Sequence, residues 1–172
     1  MTRHTRTAAI AAAVLFVAAA SIDIPRDQPL VFTGTVDYVL EAVFAAALWA
    51  ATAALVTLVR ANTGLPARIV LGAAALGHAL FATASTATLL NGRESLDPVS
   101  SVGLVLILAG YLGFLIVDLL KRVEPRFSGI AMFVATLGMF ALGEGWGMIA
   151  WAAGWFAVAA IAHERQPALA LA

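Results

Sequence analysis

A chain of 172 residues that is 62% hydrophobic and only 12% charged is no ordinary soluble domain, in which about a quarter of residues carry charge. Its mean hydropathy of +0.96 reads as an all-α integral membrane protein. Ten basic residues balance ten acidic ones, so no net field recruits nucleic acid or an acidic substrate, and the lack of cysteine excludes disulfides, thiolate metal sites and thiol redox chemistry.

The first apolar run, residues 7–24, follows the basic start Arg3 and Arg6 and has two readings. It is a retained first helix, or a secretory signal whose Ala18-Ala19-Ala20 precedes a cleavage site at Ser21. Apolar character continuing through Ile22 and Ile24 to Pro25 favours retention. Removal of the run would leave five spans, with the orientation of everything downstream unchanged. Residues 23–35, with Pro25, Pro29 and three charges, read as an outer loop.

Residues 36–60 and 66–90 are long enough to cross the roughly 30 Å hydrocarbon core as helices. A polar turn carrying Arg93, Glu94 and Asp97 follows and stops at Pro98, and residues 99–120 make the fourth span. Residues 127–162 are too long for one more. As a single helix they would reach roughly 54 Å at 1.5 Å per residue and would carry Glu144 through the bilayer. Split at Gly143-Glu144-Gly145-Trp146-Gly147, they become two short spans, 127–143 and 146–162, joined by a glycine turn with Glu144 in water and Trp146 at the interface.

The basic residues test that split. In six spans with both termini cytoplasmic, Arg3, Arg6, Arg60, Arg68, Lys121, Arg122, Arg126 and Arg165 fall inside, and only Arg26 and Arg93 outside, as the positive-inside rule requires. The expected architecture is one compact six-helix bundle with short loops in a bacterial cytoplasmic membrane, with the lipid bilayer as its first partner and further membrane subunits or a second copy as others. Small residues, among them Ala73 with Gly77, Gly110 and Ala109 with Gly113, and Gly143 with Gly147, let helices pack closely in lipid. A faint echo between "LWAATAALV" in the second span and "AWAAGWFAV" in the sixth raises an internal duplication.

Few residues remain to carry chemistry. Asp118, before Lys121 and Arg122, reads as a local ion pair. Asp37 suits the first turn of the second span, and Asp23, Asp27, Glu94 and Asp97 read as loop charges. Glu41 shares the Asp37 face one turn deeper, where an ionised carboxylate facing lipid is costly. His78 lies near mid-span, with Ser85 two turns away on its face and Tyr111 and Thr136 at similar depth. Glu41 and His78 are therefore the catalytic or proton-binding candidates, and Asp37, Ser85 and Tyr111 the substrate-binding ones. In the bland alternative His78 is interhelical glue, bonded to Tyr111 or a backbone carbonyl.

No metal-ligand spacing, nucleophile motif, phosphate loop or nucleic-acid signature occurs, so no metal and no cofactor is expected. Three classes of function follow. The leading one is a non-enzymatic subunit or accessory protein of a membrane complex. The others are a proton-titratable carrier or binding protein for a small or lipophilic solute, and an intramembrane enzyme on a lipid or isoprenoid substrate using Glu41 and His78. A carrier or enzyme would have Glu41 and His78 lining one cavity; a structural subunit would have both satisfied by neighbours and no cavity.

Overall fold

The computed structural model describes residues 3–26, 32, 34–62, 64–93, 96–120 and 127–163, with backbone alone for Glu144, Ala162 and His163. They form six α-helices: α1 Arg3–Asp23, α2 Thr35–Ala61, α3 Leu65–Asn91, α4 Asp97–Leu119, α5 Ser128–Leu142 and α6 Glu144–His163. The first four are long and apolar enough to span a membrane, and α5 and α6 are shorter apolar helices.

Local chemistry sets the ends. Gly34 precedes α2, where its N–H donates to the Asp37 carboxylate at 3.3 Å, and Asn62 closes that helix by donating Nδ2 to the Leu58 carbonyl at 2.9 Å. Proline occupies the first turn of both α3 and α4, where its missing N–H costs nothing. This is why α4 begins at Asp97, two residues before the expected span. Gly92 ends α3 in the left-handed region, φ 61°, as helix C-caps favour.

Each helix packs against its chain neighbours, and α6 returns against α1, so the six staves close into a ring. Neighbours are antiparallel. On α2 and α3, Tyr38, Glu41 and Phe44 meet Gly92, Ser85 and Phe81 in falling order, and on α5 and α6 Ala135 and Met139 meet Gly154 and Gly147. The start of α1 and the finish of α6 thus share one end, here termed the base; the other is the mouth. Arg3, Arg6, Arg60 and Arg68 belong to the base and Arg26 and Arg93 to the mouth, while Lys121, Arg122, Arg126 and Arg165 lie outside the described residues.

The α3–α4 seam runs on glycine. A Cβ on Gly77 would lie 2.6 Å from the Gly103 carbonyl oxygen, and one on Gly110 would lie 2.6 Å from the Ala74 nitrogen. Gly103, its role not read from the sequence, faces Gly77 from the other side, where a Cβ on it would lie 2.8 Å from the Gly77 carbonyl oxygen. Backbones approach this closely only where no side chain intervenes.

The α5–α6 connection corrects the expected glycine turn. Only Gly143 is non-helical, at φ 76° and ψ −170°, a conformation available essentially to glycine alone. Its carbonyl already accepts the first α6 bond, from Gly147 N–H at 2.7 Å. Gly145 and Gly147 are packing residues instead. A Cβ on Gly147 would stand 2.6 Å from the Met139 carbonyl oxygen, and one on Gly145 would stand 2.7 Å from the Ile24 side chain. One residue reverses the chain and the next turn docks on its neighbours.

The two tryptophans of the echoed stretches in α2 and α6 differ in placement. Trp49 is 46% exposed on the outside of the ring, whereas its counterpart Trp151 is fully buried. Large apolar side chains otherwise cover the exterior, among them Leu65, Leu90, Val105 and Leu119.

Candidate functional site

Aromatic rings fill the ring's middle. Phe81 of α3 meets Phe44 of α2 at 5.8 Å between centroids, Phe44 meets Phe16 of α1 at 6.1 Å, and Phe16 meets Trp151 of α6 at 5.3 Å. Trp151 in turn stacks at 5.4 Å on His78, which is also edge-on to Tyr111 at 5.6 Å and Trp155 at 6.3 Å. The layer ties α3 to α6 across the ring. Edge-to-face pairs of this kind contribute about 1 kcal/mol each beyond area burial.

His78 is fully buried in this layer. Its Nδ1 lies 3.0 Å from the Ala74 carbonyl oxygen, so that nitrogen carries the proton, and Nε2 is left as the acceptor facing the Tyr111 hydroxyl at 3.5 Å. Thr136 accepts from Trp151 Nε1 at 3.3 Å, while Trp155 Nε1 has no partner among the described residues. His78, Tyr111, Trp151 and Thr136 bond to one another and to backbone.

Toward the mouth lies a different environment. A half-open cavity of about 480 Å³ is lined by residues of all six helices. Glu41 projects from α2, and the Ser85 hydroxyl of α3 donates to its Oε1. Asp23, Asp97, Thr88, Ser100 and Ser101 surround it, with Leu40, Ala84, Met139 and Met148 as apolar wall, and Phe44 and Phe81 join the lining to the aromatic layer. The volume falls within the roughly 300–1,000 Å³ of small-molecule sites.

The sequence candidates therefore separate. Glu41 and Ser85 meet in the funnel, His78 and Tyr111 meet in the aromatic layer, and the expected common cavity for Glu41 and His78 does not form, because Phe44, Phe81, Phe16 and Trp151 intervene. Asp37 joins neither group. It is buried, ion-paired with Arg26 and bonded to Gly34 N–H, an anchor for the entry to α2.

Asp23 and Asp97, expected to be loop charges, are the last residue of α1 and the first of α4, and both line the funnel. What could have found them is their place at helix ends on the Glu41 side, which needs boundaries accurate to a residue. Asp118 caps α5 from α4: Phe127 and Gly129 N–H each donate to it at 2.8 Å and Ile130 N–H at 3.4 Å. The expected partners Lys121 and Arg122 lie outside the described residues, as does the side chain of Glu144. The chain matches no protein-family model, no curated protein and no solved structure.

Proposed function

We propose that the protein is a binding or carrier protein for a small solute, embedded in a bacterial cytoplasmic membrane by all six helices, with base and termini inside and the funnel open to the outer side. The observation that carries this reading is the half-open cavity to which every helix contributes and in which Glu41 is held by Ser85. A structural subunit was expected to have no cavity, so this space favours the binding reading. The membrane placement is supported by the apolar exterior, where large side chains such as Leu65, Leu90, Val105 and Leu119 are exposed, and by the distribution of arginines between base and mouth.

Neither expectation is met whole: Glu41 lines the cavity, as a carrier would have it, while His78 is packed among its neighbours, as a structural subunit would have it, and an acid–base enzyme pairing the two loses its geometric basis, since general acid and base must both reach the substrate within hydrogen-bond distance. The test is occlusion. Ala84 is buried in the cavity wall and Ser101 is exposed at its rim, so Ala84→Trp and Ser101→Trp should each fill the funnel from a different side. Native mass spectrometry of wild-type protein released from mild detergent should show a retained small molecule that both variants lose while still melting cooperatively. Retention unchanged in folded variants would refute the funnel as the binding site.

A further inference from the structure

Three carboxylates reach the funnel, from Asp23 at the end of α1, Glu41 on α2 and Asp97 at the start of α4, and among the described residues no lysine, arginine or histidine lines it. The cation nearest in sequence to Asp23, Arg26, is ion-paired with Asp37. Walls of helix and lipid exclude water from the surroundings, so the negative potential of three acids at the mouth of such a space is focused rather than screened.

The acids do not converge. No group of three His, Asp or Glu side chains among the described residues is close enough to hold a metal ion, so a compact divalent cation finds no cage here. Carboxylates spread around about 480 Å³ match a charge carried on a larger body. The rest of the lining is ordered by depth. Ser100, Ser101 and Asp97 belong to the first turn or so of α4, at the rim. Glu41 and Ser85 lie about 9 Å along their helices, and Phe44 and Phe81 about 13–15 Å, at 1.5 Å per residue. Hydroxyls and acids thus give way to phenyl rings, while the thioethers of Met139 and Met148, about 5–6 Å from their helix ends, form wall above them.

Resting on the reading of the funnel as a binding site, we propose that its ligand is an amphipathic organic cation, an ammonium, quaternary ammonium or phosphonium group on an apolar body. The body seats against Phe44 and Phe81, and the charge lies level with Glu41, with Asp97 and Asp23 drawing it in from the rim. Phenyl rings contribute twice here, by apolar contact and by the attraction of their faces for a cation. Unbranched methionine side chains refit around bodies of different outline, so the site selects for charge and amphipathicity more than for one shape.

The test uses the full chain in lipid nanodiscs, with empty nanodiscs subtracted, and three probes: tetraphenylphosphonium, the oppositely charged tetraphenylborate and neutral triphenylphosphine oxide. Tetraphenylphosphonium should bind at least tenfold more tightly than either of the others. Glu41→Gln should weaken that binding about tenfold and Asp97→Asn about threefold, leaving the neutral probe unaffected. Asp97 is exposed at the rim, so its variant reports on charge even if Glu41→Gln fails to fold. Ala84→Trp or Ser101→Trp should abolish binding. If the neutral or anionic probe binds as tightly as the cation and the tryptophan variants still block it, the cation proposal is wrong and the funnel remains a site. If neither tryptophan variant reduces the binding of any probe, the binding-site reading falls with it.

Discussion

The carboxylate of Asp118 accepts from three backbone N–H groups at the start of α5, donors that have no partner inside their own helix. Asp118→Ala should therefore cost about 2 kcal/mol, the penalty for buried donors left unpaired, read as a fall in melting temperature of roughly 4–8 °C. Asp118→Asn keeps one acceptor and should fall between. No change in either would mean that water or another group caps α5. His78 makes a contrasting case, because its partners are backbone, Tyr111 and two tryptophans. His78→Ala should destabilise by about 3 kcal/mol through the void it leaves without altering occupancy of the funnel, and its effect should add to that of Glu41→Gln. Loss of ligand in a folded His78→Ala protein would reunite the two sites. The sequence put Glu41 level with Ser85 and His78 level with Tyr111, and the side chains meet in those pairs, since level is a count along a helix. Which of them face one another depends on the bulk between them, and nothing in the local pattern shows that Phe16, Phe44, Phe81 and Trp151 close a floor between Glu41 and His78.

Glycine acts at the scale of the helices. Gly77→Ala would drive a methyl into the Gly103 carbonyl oxygen and the Ile107 nitrogen, at 2.6 and 2.7 Å. Because those atoms are backbone and cannot swing aside, α3 and α4 must separate, at a cost of about 1–3 kcal/mol. Gly72→Ala on the same helix meets nothing within 4 Å and should be neutral or raise stability by up to about 1 kcal/mol through helix propensity. Equal melting temperatures for the two variants would show that the α3–α4 seam is looser than described. The first helix is a stave on the same terms: Ala9, Ala12, Ala13, Phe16, Ala19 and Ala20 are fully buried between α2 and α6. Intact mass of the mature protein should include residues 1–20, and a mass beginning at Ser21 would reduce the ring to five helices. The four long apolar helices were legible because unbroken apolar runs and proline or glycine breaks leave few choices. The α5–α6 break was legible only as a region, since Gly143, Gly145 and Gly147 are alike in sequence and differ only in what stands opposite them.

At the scale of the molecule, six antiparallel staves leave an axis that must be filled, and the fill is uneven. Aromatic rings occupy the middle, while short side chains such as Ala84, Ser85 and Ser101 leave the mouth open. Closure of the ring by α6 against α1 could not be read from the sequence, because no local pattern states which non-consecutive helices touch. The proposed function requires a funnel that opens to the outer side and ends at the aromatic floor. Since the chain has no cysteine, single-cysteine variants report without background. The deciding measurement is labelling of Ser101→Cys, Ala84→Cys, Thr136→Cys and Ala61→Cys with a membrane-impermeant maleimide in right-side-out and inverted membrane vesicles. Ser101→Cys and Ala84→Cys should label only in right-side-out vesicles, Ala61→Cys at the base only in inverted ones, and the buried Thr136→Cys in neither. Labelling of Ala84→Cys from the inner side, or its protection from both sides while Ser101→Cys reacts, would contradict the account.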